Sequence, residues 1–194
     1  MDELEKKINL VCTQENLDSE IIFQNREEFL TLCRYVDSFK PHNFLEIGCL
    51  GPSFNVLSSL CTGLKVAVDR SDNIHRITEP NAIFVTGRSE DVYERVRSIC
   101  DKFDFIFIDA DHTYLGVSSD FYTYKSLLSD RGFIAFHDID PDHIFKDNDG
   151  GQVYKFWQDL AIGHKTNIVC TGTSHNVAFK GNRTHFGGIG IWRP

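Results

Sequence analysis

The chain has no apolar run long enough to cross a bilayer as a helix, and its opening, MDELEKKINL, is acidic rather than signal-like. Those absences make a soluble, unexported, cytoplasmic protein the expectation. An excess of positive charge is also missing. Lys and Arg number 20 against 28 Asp and Glu, a net charge of −8, which argues against a general grip on nucleic-acid phosphates. Paired cysteines are missing too: Cys12, Cys33, Cys49, Cys61, Cys100 and Cys170 include no CxxC and no zinc-ribbon spacing. Several fall inside apolar runs, where a free thiol behaves as a small hydrophobe, so a reduced setting is expected. There is no internal repeat and no low-complexity segment. At 194 residues the chain fits one domain, 1–194, with almost no room for a second.

What is present is an alternation. Short apolar, β-rich runs at Asn43–Gly48, Lys65–Asp69, Ala82–Thr86, Phe103–Asp109 and Gly132–Asp138 alternate with stretches of helical period. Val92, Val96, Ile99 and Phe103 form one such stripe, and Val117, Phe121, Tyr124 and Leu128 another. A leading helix is marked by Phe29, Leu32, Cys33 and Val36 within an N-terminal segment, 1–40, that ends near Pro41. A later helix is marked by Val153, Phe156, Trp157 and Leu160, and two tail strands are expected at Asn167–Thr171 and Gly188–Trp192. This pattern predicts a doubly wound α/β domain with a seven-stranded, largely parallel sheet. Asp140–Gly151, polar and glycine-tipped, follows the fifth strand at the edge where such sheets bind ligands. It reads equally as a lid and as a solvated connector.

Two places along this pattern carry chemistry. The first is Phe44-Leu45-Glu46-Ile47-Gly48-Cys49-Leu50-Gly51-Pro52-Ser53, a strand, an acid, two glycines and a helix start. Glycine lets backbone pass close to a ligand, and the helix offers free N–H groups; Ser53 is expected to cap a helix over Phe54–Leu60. About twenty residues on, the second strand ends on Asp69, where a carboxylate can accept from both hydroxyls of a ribose. Together they point to an adenosine-containing ligand. Glu46 would repel a pyrophosphate but suits a cofactor bearing an ammonium and a sulfonium.

The second is Phe103-Asp104-Phe105-Ile106-Phe107-Ile108-Asp109-Ala110-Asp111-His112-Thr113-Tyr114, followed by a helix over Leu115–Leu128 and by Arg131-Gly132-Phe133-Ile134-Ala135-Phe136-His137-Asp138. Two adjacent strands here end in acids, Asp109 and Asp138, with His112 and His137 beside them. Neighbouring strands lie about 5 Å apart, so these groups can converge on one cation.

Over residues 43–138 the sequence resembles the class I S-adenosylmethionine-dependent methyltransferases, and its second stretch resembles the family reading FDFIFIDGDHxYEGV…FHDI. That family is similar to metal-dependent O-methyltransferases of catechols and macrolide sugars and often accompanies glycosyltransferases. The resemblance implies a Rossmann-like fold and assigns Glu46, Gly48, Gly51, Ser53, Asp69 and Asp109 to S-adenosylmethionine. It places Ser89 and Glu90, in the turn Gly87–Asp91, at the adenine. It implies a divalent ion on Asp109, His137 and Asp138, and a general base at His112, a role that imidazole suits. Two positions depart from the family. The loop GCLGPS is one residue short, and His137 stands where an acid or amide is usual, which puts manganese level with magnesium. Successive strand side chains face opposite sides, so His137 and Asp138 share an ion only if the chain turns there; otherwise Asp140 is the rival.

The activity implied is O-methylation of a sugar or glycan hydroxyl, with another alcohol or a phenol as the other acceptor class. A non-catalytic cofactor-binding module is the competing reading, suggested by the short loop and opposed by the retained acids and His112. A metal-dependent hydrolase ranks last, because its His-Asp pair belongs on helices and this one ends a strand.

Overall fold

A computed structural model describes residues 4–6, 26–72, 74–142, 151–169 and 187–194. Chain order runs α1 (Arg26–Phe39), β1 (Phe44–Ile47), α2 (Pro52–Ser58), β2 (Lys65–Asp69), β3 (Ala82–Thr86), α3 (Ser89–Ile99), β4 (Phe103–Ile108), α4 (Tyr114–Tyr124), β5 (Leu128–His137), α5 (Val153–Asp159), β6 (His164–Ile168) and β7 (Ile189–Arg193). Short 3-10 turns cover Ile74–Arg76 and Lys125–Leu127. The seven strands form one sheet in the order β3-β2-β1-β4-β5-β7-β6, and β7 runs antiparallel to both its neighbours. The predicted doubly wound, seven-stranded α/β architecture is therefore present, with one antiparallel strand.

The sequence explains the two-layer cover. Within each central strand alternate residues serve opposite faces. Leu45, Ile47, Val66, Val68, Ile106, Ile108, Ile134 and Phe136 pack with α3, α4 and α5, whereas Phe44, Ala67, Phe105, Phe107, Phe133 and Ala135 pack with α1 and α2. On the second face Phe44, Phe105 and Phe133 stand in register on β1, β4 and β5. Their rings stack at 4.7 Å and 4.6 Å. Phe54 of α2 and Tyr35 and Phe39 of α1 close over this row. On the other face Phe156 and Trp157 pack against Phe136 at 5.9 Å and 5.6 Å, as sheet cover.

Several element boundaries differ from expectation, β5 among them, which begins at Leu128 rather than Gly132. Helix α2 starts at Pro52 with Gly51 as its N-cap and no side-chain cap bond, because the Ser53 hydroxyl donates to Glu46 Oε1 at 2.6 Å instead. Helix α4 stops at Tyr124, and Leu128, the last member of its apolar stripe, begins β5 and pairs with Phe103. Phe103 is likewise in β4, so both stripes run on by coincidence into a strand. The sixth strand lies at His164–Ile168, three residues before its expected start, and Cys170–Thr171 fall outside the described residues. So do 143–150, most of the expected lid, and 7–25 of the N-terminal segment. Of the described cysteines, Cys33, Cys49 and Cys61 are buried and Cys100 is half-buried, and no described helix is long and apolar enough to cross a membrane.

Truncating the central ring of the aromatic row, Phe105→Ala, should cost about 3–5 kcal/mol, the usual penalty for an unfilled aromatic site. Denaturant unfolding read by circular dichroism checks this.

Candidate functional site

Parallel register sets the site's level. Ile47, Ile108 and Phe136 stand side by side on β1, β4 and β5, so the residues that follow them stand at the same height, Gly48 and Asp109 just past their strands and His137 as the last residue of β5, paired with Ile189. Gly48 is glycine for a local reason. Its φ is 87°, and a Cβ there would lie 2.2 Å from the Asp109 carbonyl oxygen. The close approach it permits is of the β4 turn to the β1 turn, which brings Asp109 next to the glycine loop. At Gly51, with φ 114°, a Cβ would meet Arg76 at 2.6 Å, and Asn55 fastens that segment by bonding Arg76 O at 2.8 Å and Thr78 N at 3.0 Å. The short loop is thus braced from the β2–β3 connection.

Glu46 is fully buried and faces α2. One carboxylate oxygen takes the Ser53 hydroxyl and the other has no hydrogen-bond partner. Burial pushes its pKa well above the ordinary range, the Ser53 bond opposes, and the charges of Asp109 and Asp69 add to the rise. A buried acid crowded by acids, with an unused oxygen, has the chemistry of a cation receptor. Asp69 ends β2 with Oδ1 accepting from Ser71 N at 2.7 Å; burial raises its pKa against that bond and the charge of Arg70.

At the ends of β4 and β5 the acids and histidines meet. Asp109 Oδ1 lies 3.1 Å from His112 Nε2 and 3.2 Å from His137 Nδ1. Asp138 Oδ2 lies 2.9 Å from His112 Nδ1, and its Oδ1 3.3 Å from His137 Nδ1. The chain does turn between the two neighbours: β5 ends at His137 and Asp138 takes φ 66°, a left-handed conformation rare outside glycine. One ligand atom each from Asp109, His137 and Asp138 lies within 4.8 Å of the others. Asp140 is not in that group; its N–H donates to Gly187 O at 2.7 Å and its Oδ1 accepts from Asp142 N.

The electrostatics follow from this packing. Burial raises Asp109, but the charge of His137 and the bonds from both histidines hold it well below the usual carboxylate range. For His112 burial works downward and is outweighed by the bonds and charges of Asp109 and Asp138, which hold the imidazolium up to about 11. His137 is held up to about 9 against burial by the charges of Asp138 and Asp109. Two buried carboxylates are thus balanced by two imidazoles. His112, with its side chain 35% exposed against 14%, 9% and 5% for Asp109, His137 and Asp138, is the member of the group that faces outward. Its turn is anchored by Gln152, which donates its N–H to His112 O at 2.8 Å and accepts from Tyr114 N.

Ser89 and Glu90 begin α3 beside a cleft of about 230 Å³ that Asp111, Thr113 and Asp120 also line. Glu90 is drawn outward by Arg88 at 2.7 Å. Ser89 bonds Asp120, and its carbonyl accepts from the Tyr124 hydroxyl at 2.7 Å. Asp120 escaped the sequence reading. Its signal is a charged residue inside the Val117–Phe121–Tyr124 apolar stripe.

Residues 45–139 match the family model described as a methyltransferase domain. No curated sequence matches the chain. Among solved structures, an O-methyltransferase from Bacillus cereus in complex with S-adenosylhomocysteine is 19% identical, with a TM-score of 0.67 over 100% of this chain and 92% of that one. TomG from Streptomyces achromogenes, an O-methyltransferase involved in tomaymycin synthesis, solved with S-adenosylmethionine, is 20% identical, with a TM-score of 0.66 over 100% and 91%. MycE of the mycinamycin pathway, in complex with Mg, S-adenosylhomocysteine and mycinamycin VI, is 15% identical, with a TM-score of 0.55 over 84% of this chain and 48% of that one. The sheet and its helices are those of the Rossmann-like methyltransferases.

Asp120 also generates a pH prediction. Burial raises it to about 6 from an ordinary 3.8, the Ser89 bond opposes, and Glu90 and Asp111 add to the rise. The folded state therefore holds the proton more tightly than the unfolded chain, and the stability this lends is lost as pH rises through that window. Asp120→Asn removes the titration. Its melting temperature relative to wild type should climb between pH 4.5 and 7.5, by the equivalent of about 1–3 kcal/mol, as thermal melts across that range would read.

Proposed function

We propose that this methyltransferase domain is an S-adenosylmethionine-dependent O-methyltransferase that holds a divalent ion and methylates a hydroxyl of a sugar or glycan. The observation that carries the reading is the convergence of Asp109, His112, His137 and Asp138 at one end of β4 and β5, level with Gly48 and one strand from Glu46. The cofactor supplies an electrophilic methyl group when bound. Glu46 supports the assignment through its buried, unused oxygen, which suits an ammonium. Asp69 is assigned to the ribose and Ser89 and Glu90 to the adenine edge. Gly48 and Gly51 shape the loop between them, and Ser53 fixes the Glu46 carboxylate.

The donor set fits a divalent ion: two carboxylates and an imidazole within reach of one point, with His137 Nε2 buried and without a hydrogen-bond partner. Mixed oxygen and nitrogen donors suit manganese as well as magnesium. Such an ion lowers the pKa of a hydroxyl bound beside it. The carboxylates that hold His112 protonated, Asp109 and Asp138, are the ones that would hold the ion, and the ion would offset their charge. With an ion there, His112 would be the base for the acceptor hydroxyl's proton, a role that imidazole suits.

A sugar acceptor is supported by the resemblance of FIDADHTY and FHDI to a family similar to metal-dependent O-methyltransferases of catechols and macrolide sugars, and a divalent ion by the likeness to MycE, whose structure holds mycinamycin VI with Mg. Work alongside a glycosyltransferase fits that reading. A non-sugar hydroxyl is the second reading, favoured by the whole-chain match to TomG.

Two measurements test the mechanism. After metal-free purification, excess chelator should abolish methyl transfer and leave S-adenosylhomocysteine binding by calorimetry unchanged, with Mn²⁺ or Mg²⁺ restoring turnover; full activity in chelator refutes the ion's role. His112→Ala should lower turnover roughly 10²–10⁴-fold in a variant that still folds and binds S-adenosylhomocysteine. A stable variant with wild-type turnover would move the base elsewhere.

A further inference from the structure

Glu28 lies on α1, on the same stripe as the apolar Phe29, Leu32 and Cys33, and is fully buried. Its Oε2 accepts from the N–H of Gly188, 160 positions along the chain, at 3.2 Å. Gly187 and Gly188 are both left-handed, with φ of 59° and 67°, and lead into β7. This turn is sewn to the end of β5: Asp140 N donates to Gly187 O at 2.7 Å, and Ile139 N to Gly188 O at 3.5 Å. It also walls the acid–histidine group. A Cβ on Gly187 would lie 2.4 Å from Asp138 Oδ1 and 2.6 Å from His137 Nε2. The backbone of one turn therefore touches two of the three groups assigned to the ion, and a buried carboxylate from the opposite end of the chain fixes that turn.

We propose that Glu28 is a positioning residue for the divalent-ion site, acting through the Gly187–Gly188 turn to set His137 and Asp138; this rests on the ligand reading above. A carboxylate is costly to bury in an apolar layer, and its bond with the Gly188 N–H directs one of its oxygens at the turn. The bond fixes the turn's distance from the ligands. Ligand orientation is what such outlying partners control in metal sites. Helix α1 thereby becomes part of the reacting end while lying on the far face of the sheet.

The test is calorimetric titration of Mn²⁺ into the full chain and three variants, with S-adenosylhomocysteine affinity and melting temperature measured alongside. Glu28→Ala should weaken Mn²⁺ binding roughly 10–100-fold while S-adenosylhomocysteine affinity holds. Glu28→Gln keeps an acceptor for Gly188 N–H and should restore Mn²⁺ affinity to within a few-fold of wild type. Gly187→Ala, which leaves Glu28 in place, should weaken Mn²⁺ at least as much as Glu28→Ala. Wild-type Mn²⁺ affinity in Glu28→Ala overturns the proposal, as does parallel loss of both ligands and of stability. Should Glu28→Ala not fold, full Mn²⁺ affinity in Gly187→Ala overturns it. Failure of the wild type itself to bind Mn²⁺ would overturn the ligand reading and this inference with it, and is told apart by appearing before any substitution.

Discussion

The parallel register of β1, β4 and β5 is the constraint on which the rest hangs. Because Ile47, Ile108 and Phe136 stand abreast, the residues that follow them on three strands stand at one height. The glycine turn, Asp109 and His137 become neighbours without any long-range design beyond strand pairing. The stacked Phe44–Phe105–Phe133 row lies on the same strands and locks that register from the α1–α2 side. A one-residue slip would send these rings to the other face, and would move Asp109 off the level of Gly48. Hydrophobic packing and site geometry are thus one specification.

The charge distribution is the second consequence. Doubly wound sheets gather polar groups at their carboxyl edge, and here the edge is acidic well beyond the average of the chain. Glu46, Asp109 and Asp138 are each mostly buried there, with Asp69 close by. Two histidines neutralise the acids at the ends of β4 and β5 by direct contact, while Glu46 is left with only a neutral hydroxyl. The site is divided into a half whose charge is balanced by the protein and a half that is not, and the unbalanced half lies beside the glycine loop.

Much of this was legible in the sequence because its signals are local. Strands β2 and β3 begin and end where the apolar runs do, and Asp69, Asp109 and Asp138 stand at or just past strand ends. The misreadings share a cause. Phe103 and Leu128 continue a helical period by chance, and only pairing across the sheet assigns them to strands. Ser53 has the composition of a cap but spends its hydroxyl on Glu46, a partner seven residues back that only folding supplies. Glu28 and Asp120 went unread for the same reason. Each is an acid on an apolar stripe, and its purpose lies in a residue far along the chain, Gly188 or Ser89.

The left-handed turn at Asp138 restricts position 138 before any chemistry is considered. With φ at 66°, side chains branched at Cβ are strained there, and asparagine, aspartate and glycine are the residues that adopt the conformation readily. Of these three only aspartate brings a negative charge, and only the two acyl side chains can reach a cation at all. The backbone has reduced the alphabet to three letters, and electrostatics chooses among them. Sequence drift at this position is therefore confined to a narrow path: an exchange with asparagine keeps the turn and alters the charge of the site by one unit, whereas most other exchanges strain the turn that lets His137 and its neighbour face the same point.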